Sequence, residues 1–339
     1  MKRVSRFFIL PLLLTLLYSG VQAQDPLFSQ FYAAPLQVNP ALAGNARSPR
    51  VGLNFRNQWS GISGGAYKTF AASYDQYIDE LNSGVGLFVL TDDAGNGILK
   101  TVKVSGTFAY SLQLSRDWFV KFGVEGGYTQ TQLDWGKLIF LDQIDPILGP
   151  ITGGGGAPIP TQEQTPDELS RSNLDLGTGM LIYNQRFYAG ISIKHINQPD
   201  NTFLGVNENL NTPSLTRLTV HTGGEFPLGG NNIGGSSSFI SPNVMYASQG
   251  NVQQVNAGMY ASFGMLFGGA WFRHAFGNAD AVIGLVGVRI DEFKIGYSFD
   301  ATVSGLQLAN SGGTHELSMS INFRQRKGTD YNDCLQMFR

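Results

Sequence analysis

The chain is poor in the residues that most chemistry needs. Its 339 positions hold one cysteine and four histidines, and charged residues make up only 14%. A single thiol, Cys334, cannot form an internal disulfide or a cysteine-rich metal site. It is left as an incidental tail residue, a free thiol, or an acylated or cross-linked one. His195, His221, His274 and His315 lie far apart and lack the spacing that holds a metal, so no metal or cofactor is expected. His315 and Glu316 are neighbours, but adjacent strand residues point to opposite faces and cannot act on one substrate. No nucleophile elbow, phosphate loop or dinucleotide fingerprint appears. Asp92-Asp93 and Asp142 with Asp145 are acidic loop pairs, read as solvated turn carboxylates rather than a calcium site. An enzyme is not expected. The net charge of -2 comes with no clustered basic face, which argues against nucleic acid. Past the first two dozen residues, no run reaches the roughly 18 apolar residues of a spanning helix.

The sequence does have an export signal and a repeating pattern. Lys2, Arg3 and Arg6, the apolar run from Phe7 to Tyr18, and the small-residue exit Val21-Gln22-Ala23 read as a secretory signal peptide over 1–23. There are 43 glycines and 12% aromatics, yet mean hydropathy is only -0.06. A membrane protein made of helices would score well above zero. A barrel would not, because each strand shows one face to lipid and keeps the other polar. Val102, Val104, Phe108, Tyr110, Leu112 and Leu114 alternate with Lys103, Ser105, Thr107, Ser111 and Gln113, which is the period of a strand. Near the end, Leu317, Met319, Ile321 and Phe323 alternate with Glu316, Ser318, Asn322 and Arg324.

Counting such stretches between 50 and 324 gives about fourteen, an even number as bacterial barrels require. The expected fold is therefore an all-β, transmembrane antiparallel β-barrel with long extracellular loops and periplasmic termini. A soluble β-sandwich would show similar alternation, but strands this long are more simply satisfied by closure, which removes sheet edges. Ser115-Arg116, Asn184-Gln185 and Asp291 mark short periplasmic turns. The connections 130–173, 197–214 and 303–313 are long and expected outside, whereas 227–237 is the one long periplasmic link. The loop 130–173 carries Trp135 and Phe140, which serve either a packing contact inside the rim or partner docking. Its half from Gly153 to Glu168 reads as a flexible strip. The tail 325–339 is expected in the periplasm.

Residues 24–45, QDPLFSQFYAAPLQVNPALAGN, break the pattern. Pro26, Pro35 and Pro40 forbid a helix interior or a central strand, yet Phe28, Phe31, Tyr32 and Leu36 need burial. Two destinations fit, a partner's groove or the lower lumen; the expectation is an ordered periplasmic segment, 24–49, that engages a partner. The stretch resembles the start of the PorP/SprF family of the type IX secretion and gliding machinery, through Asp25-Pro26, Phe28 to Phe31 and Asn39 to Gly44. Arg56-Asn57-Gln58-Trp59, Leu133-Asp134-Trp135, Phe140 with Asp142-Gln143, Gly296 to Asp300 and Gly313 to Glu316 extend the resemblance along the mature chain. Cys334-Leu335 departs from the Cys-Pro of many relatives. The resemblance implies a non-enzymatic component in the outer membrane, exported through its signal peptide and embedded in the lipid bilayer. It implies periplasmic or outer-membrane secretion components, and a secreted surface protein such as an adhesin, as partners. Phe28, Phe31, Tyr32, Asn39, Pro40, Trp135 and Phe140 are the candidate partner-binding residues. A passive porin or small-solute channel is the alternative, and it would need a water-filled lumen.

Overall fold

In a computed structural model of the protein, the described residues are 25–46, 48–62, 67–151, 159–203, 213–229, 238–276, 278–305 and 308–323. The leader, residue 24, parts of the 130–173 and 227–237 connections, and the tail with Cys334 lie outside them. The chain forms a closed antiparallel barrel of 14 strands. In order these are β1 (Arg50–Gln58), β2 (Tyr67–Ile78), β3 (Ser83–Ala94), β4 (Leu99–Gln113), β5 (Phe119–Leu133), β6 (Ser170–Tyr183) and β7 (Phe187–Lys194). They continue as β8 (Arg217–Gly224), β9 (Phe239–Gln249), β10 (Val252–Phe263), β11 (Leu266–Ala275), β12 (Asn278–Ile290), β13 (Phe293–Thr302) and β14 (Thr314–Asn322). Each pairs with its neighbours in sequence. The ring closes where β14 pairs β1, with Phe55 opposite Leu317 and Arg56 opposite Glu316.

The alternation expected from sequence sets which face is which. On β14, Leu317 is 51% exposed, whereas Glu316 and Ser318 are 2% and 6%. On β4, Val102, Val104, Phe108, Tyr110 and Leu112 are exposed while Ser105 and Thr107 are buried. The apolar set thus forms the outer band and the polar set faces the lumen, the arrangement of a barrel solvated by lipid.

The connections separate into two ends. At one end the links after β4 and β6 close through Leu114 and Asn184, whose N–H groups donate to Trp118 and Phe187 at 2.9 Å. Asp291 turns β12 into β13 with φ +51. At the other end lie the long loops 134–169, 195–216 and 303–313. The longest is shorter than expected on both sides, because β5 continues to Leu133 and β6 begins at Ser170. Asp92 and Asp93 are also not a loop pair. Both lie on β3, where Asp92 accepts a hydrogen bond from Thr69 of β2 at 2.6 Å.

Candidate functional site

The lumen is occupied by the chain's own N-terminal segment. Asp25 lies at the long-loop end: its N–H donates to the Gln249 side chain at 3.0 Å. Its carboxylate sits 2.6 Å from His195 Nε2 and 2.8 Å from Arg217. From there the segment crosses the barrel and enters β1 at the short-turn end. Residues 24–49 were expected at the periplasmic end, yet the described part runs through the barrel and begins at the opposite rim. Of the two destinations open to its aromatic rings, the structure has them in the lumen. Phe28, Phe31 and Tyr32 are 2–3% exposed. Tyr32 stacks on Trp271 at 6.1 Å and tilts against Tyr260 at 5.3 Å, and Phe31 meets Trp271 edge-on at 6.3 Å. Lys294 Nζ lies 5.0–5.2 Å from the ring centres of Tyr32, Tyr260 and Phe267, so its amine end is enclosed by three aromatic faces.

Local rules explain the backbone of the segment. Pro35 starts a single helical turn, α1 (Pro35–Val38), as a residue with preset φ and no N–H to lose. Asn39 is driven extended by the proline after it, φ -153 and ψ 123. From that position its Oδ1 accepts the Ala41 N–H at 2.9 Å and caps the 3-10 turn Pro40–Leu42. Its amide nitrogen donates to the carbonyls of Met180 and Ile191 at 3.1 and 3.2 Å, and lies 3.1 Å from His221 Nε2. Asn39 therefore caps a turn and grips the wall with one side chain. The wall admits it because β6 carries a glycine there: a Cβ on Gly179 would fall 2.0 Å from Asn39 Oδ1. Gly44 ends the run at φ +62, where its own Cβ would strike Gly84 at 2.6 Å.

Two buried charge networks hold the segment from opposite walls. On one, Lys103 bridges Glu125 at 3.1 Å and Asp175 at 2.6 Å, and Lys194 pairs with Glu125 at 2.6 Å. Asp175 continues through His195 Nδ1 at 2.9 Å to Asp25. On the other, Arg56 pairs with Glu316, and Arg273 pairs with Asp280 and with Asp300 at 3.0 Å. Ser29 joins this second network. Its hydroxyl donates to Asp300 at 2.6 Å and accepts from Arg56 and Arg273 at 2.9 Å each. Burial opposes the charge on Asp25, but Arg217 and His195 outweigh it and hold the carboxyl well below the usual carboxylate range. Burial likewise opposes protonation of His195, yet Asp25 and Asp175 overcome it and hold its proton above the ordinary imidazole range. The Asp25–His195 contact is an ion pair wherever His195 holds its proton.

Of the seven residues singled out in the sequence, Phe28, Phe31, Tyr32, Asn39 and Pro40 come together in the lumen and are buried there. Trp135 and Phe140 sit apart on the longest loop, half-buried, their ring centres 4.6 Å from each other. Beyond them Leu141, Ile147 and Leu148 are 86–92% exposed. Asp142 accepts from Thr161 and from the Gln162 N–H, and Asp145 caps the N–H groups of Ile147 and Leu148. Among the described residues, no three His, Cys, Asp or Glu side chains are placed to hold a metal ion. Sequence reasoning placed Glu316 on the luminal face without its contact to the segment, and missed the other wall residues that hold it, above all Lys121, Lys194 and Arg217. Their strand phase marks them as luminal, and charge on the luminal phase of several strands was the available signal.

A family model described as type IX secretion system membrane protein PorP/SprF matches residues 20–321. Among solved structures, the outer membrane protein Omp33 of Acinetobacter baumannii is 12% identical. That match covers 83% of this chain and 100% of that one, with a TM-score of 0.44. The toluene transporter TodX of Pseudomonas putida is 11% identical over 85% of this chain and 93% of its own, with a TM-score of 0.48. None of the curated proteins compared with the chain matches it.

Proposed function

Because the chain belongs to the PorP/SprF family of type IX secretion system membrane proteins, we propose that it is a non-enzymatic barrel of the outer membrane that anchors machinery partners or supports export and display of one secreted surface protein. The barrel fold and the family both fit an outer-membrane location. The observation that carries the reading is the filled lumen: residues 25–46 are almost wholly buried inside the ring and bonded to both walls. A barrel filled in this way serves as a fixed membrane address better than as a path for solutes, which weighs against a passive porin.

In this reading the long-loop end faces outward and receives the secreted protein, and the short-turn end with the tail 325–339 faces the machinery. Trp135 and Phe140 brace the loop, and Leu141, Ile147 and Leu148 beyond them offer apolar surface clear of the strands. Phe28, Phe31, Tyr32, Asn39 and Pro40 serve partners indirectly, by fixing the lumen's contents and the rim around Asp25.

Co-purification from mild detergent tests the proposal. A secretion component brings down machinery proteins or a large surface protein. A chain that comes down alone and conducts ions freely is a porin, and that outcome would falsify the proposal.

A further inference from the structure

We propose that the lumen is a peptide-binding site, and that residues 25–46 are its tethered ligand rather than a fixed part of the barrel's fold. The inference concerns the lumen alone and does not rest on the secretion role. Eight main-chain groups of the segment are bonded by wall side chains, four through N–H and four through C=O. Glu316 takes the N–H groups of Ser29 and Gln30 at 2.7 and 3.0 Å, and Asp75 takes that of Gly44 at 2.9 Å. Lys194, Arg217 and Lys121 donate to the carbonyls of Leu36, Gln37 and Ala43 at 2.6–2.9 Å.

A lumen that needed only filling would be satisfied by apolar side chains packed together. Buried cations and carboxylates aimed at another segment's backbone cost free energy unless that backbone is present. Reading main-chain donors and acceptors while seating side chains in pockets is how proteins capture extended peptides. The pockets here select the ligand. One is the aromatic wall of Trp271 and Tyr260 around Phe31 and Tyr32, and another is the glycine-floored slot for Asn39 and Pro40. The segment adds no strand to the ladder, so the ring of hydrogen bonds is complete without it. The ligand class is therefore an irregular, proline-interrupted peptide of roughly 20 residues with an aromatic pair, then Asn-Pro. The covalent tether keeps the chain's own copy at an effective concentration on the order of millimolar, which holds competitors out of the intact protein.

The test uses the full-length chain with a protease site inserted after Ala46. The protein is folded and purified in detergent, then cut, and a fluorescent synthetic peptide of residues 24–46 is added. The expected result is saturable binding to the cut protein, read by anisotropy, with unlabelled peptide competing and the uncut protein taking up little. Peptides carrying Asn39→Leu, or Phe31→Ala with Tyr32→Ala, should bind roughly 10-fold more weakly or worse, one lost buried hydrogen-bond set or ring pair being worth about that factor. A cut segment that never exchanges, or a scrambled peptide that binds equally well, overturns the inference. Either result leaves the co-purification test of the secretion role unaffected.

Discussion

At the scale of single residues, the two faces of a strand should respond differently to the same substitution. Met319 lies on the lipid phase of β14, so Met319→Arg should cost about 2–4 kcal/mol, measured by urea titration of the barrel refolded in lipid. Ser318 points inward and donates to the Gln30 side chain at 2.6 Å. Ser318→Arg should therefore leave the barrel inserted but dislodge Gln30, seen as new protease cleavage near residue 30. Equal loss of insertion for both variants would mean the strand phase is wrong. Titration at the rim gives a second check. The His195 contribution is complete below the ordinary imidazole range and is lost as pH rises through its raised value. The Asp25 contribution is present above the ordinary carboxylate range and is lost only in strong acid. Moving from about pH 6 to about pH 9 should thus increase cleavage around residue 25, with Arg217 limiting the effect. In a His195→Asn variant the change with pH should vanish; its persistence there would assign the titration to another group.

Among the elements, the strands were legible and the segment between leader and barrel only partly so. Period-two alternation is a direct consequence of side chains leaving a strand on opposite faces. Val102 to Leu112 and Leu317 to Phe323 therefore announced both their structure and their orientation. The same alternation says that Lys121 and Glu316 point inward, but not what they meet there. Three prolines showed that residues 24–45 could not join the ladder, and the rings of Phe28, Phe31 and Tyr32 showed that they needed burial. Neither fact carries a direction, so the position of Asp25 at the long-loop rim, next to residues some 170 to 224 positions away, was not readable. The pair Asp92-Asp93 misled for a related reason: carboxylates favour turns in general, but on β3 the lumen gives Asp92 a polar neighbour in Thr69. Replacing Phe28, Phe31 and Tyr32 by alanine should free the segment without unfolding the ring. The variant should keep its gel shift on boiling while residues 25–46 become open to protease. A loss of the gel shift would make the segment a folding element instead.

For the molecule as a whole, the ring has no unpaired edge from which detergent can unravel it. Boiled and unboiled samples should therefore run differently on a gel, with circular dichroism dominated by strand. The central structural claim is that this closed ring is filled by its own chain, so that it holds position in a membrane rather than passing solutes. Conductance across a planar bilayer measures that directly. The wild-type protein should carry little or no current, whereas the variant with Phe28, Phe31 and Tyr32 replaced by alanine should open in discrete steps. Porin-sized steps from the wild type, unchanged in the variant, would contradict the claim.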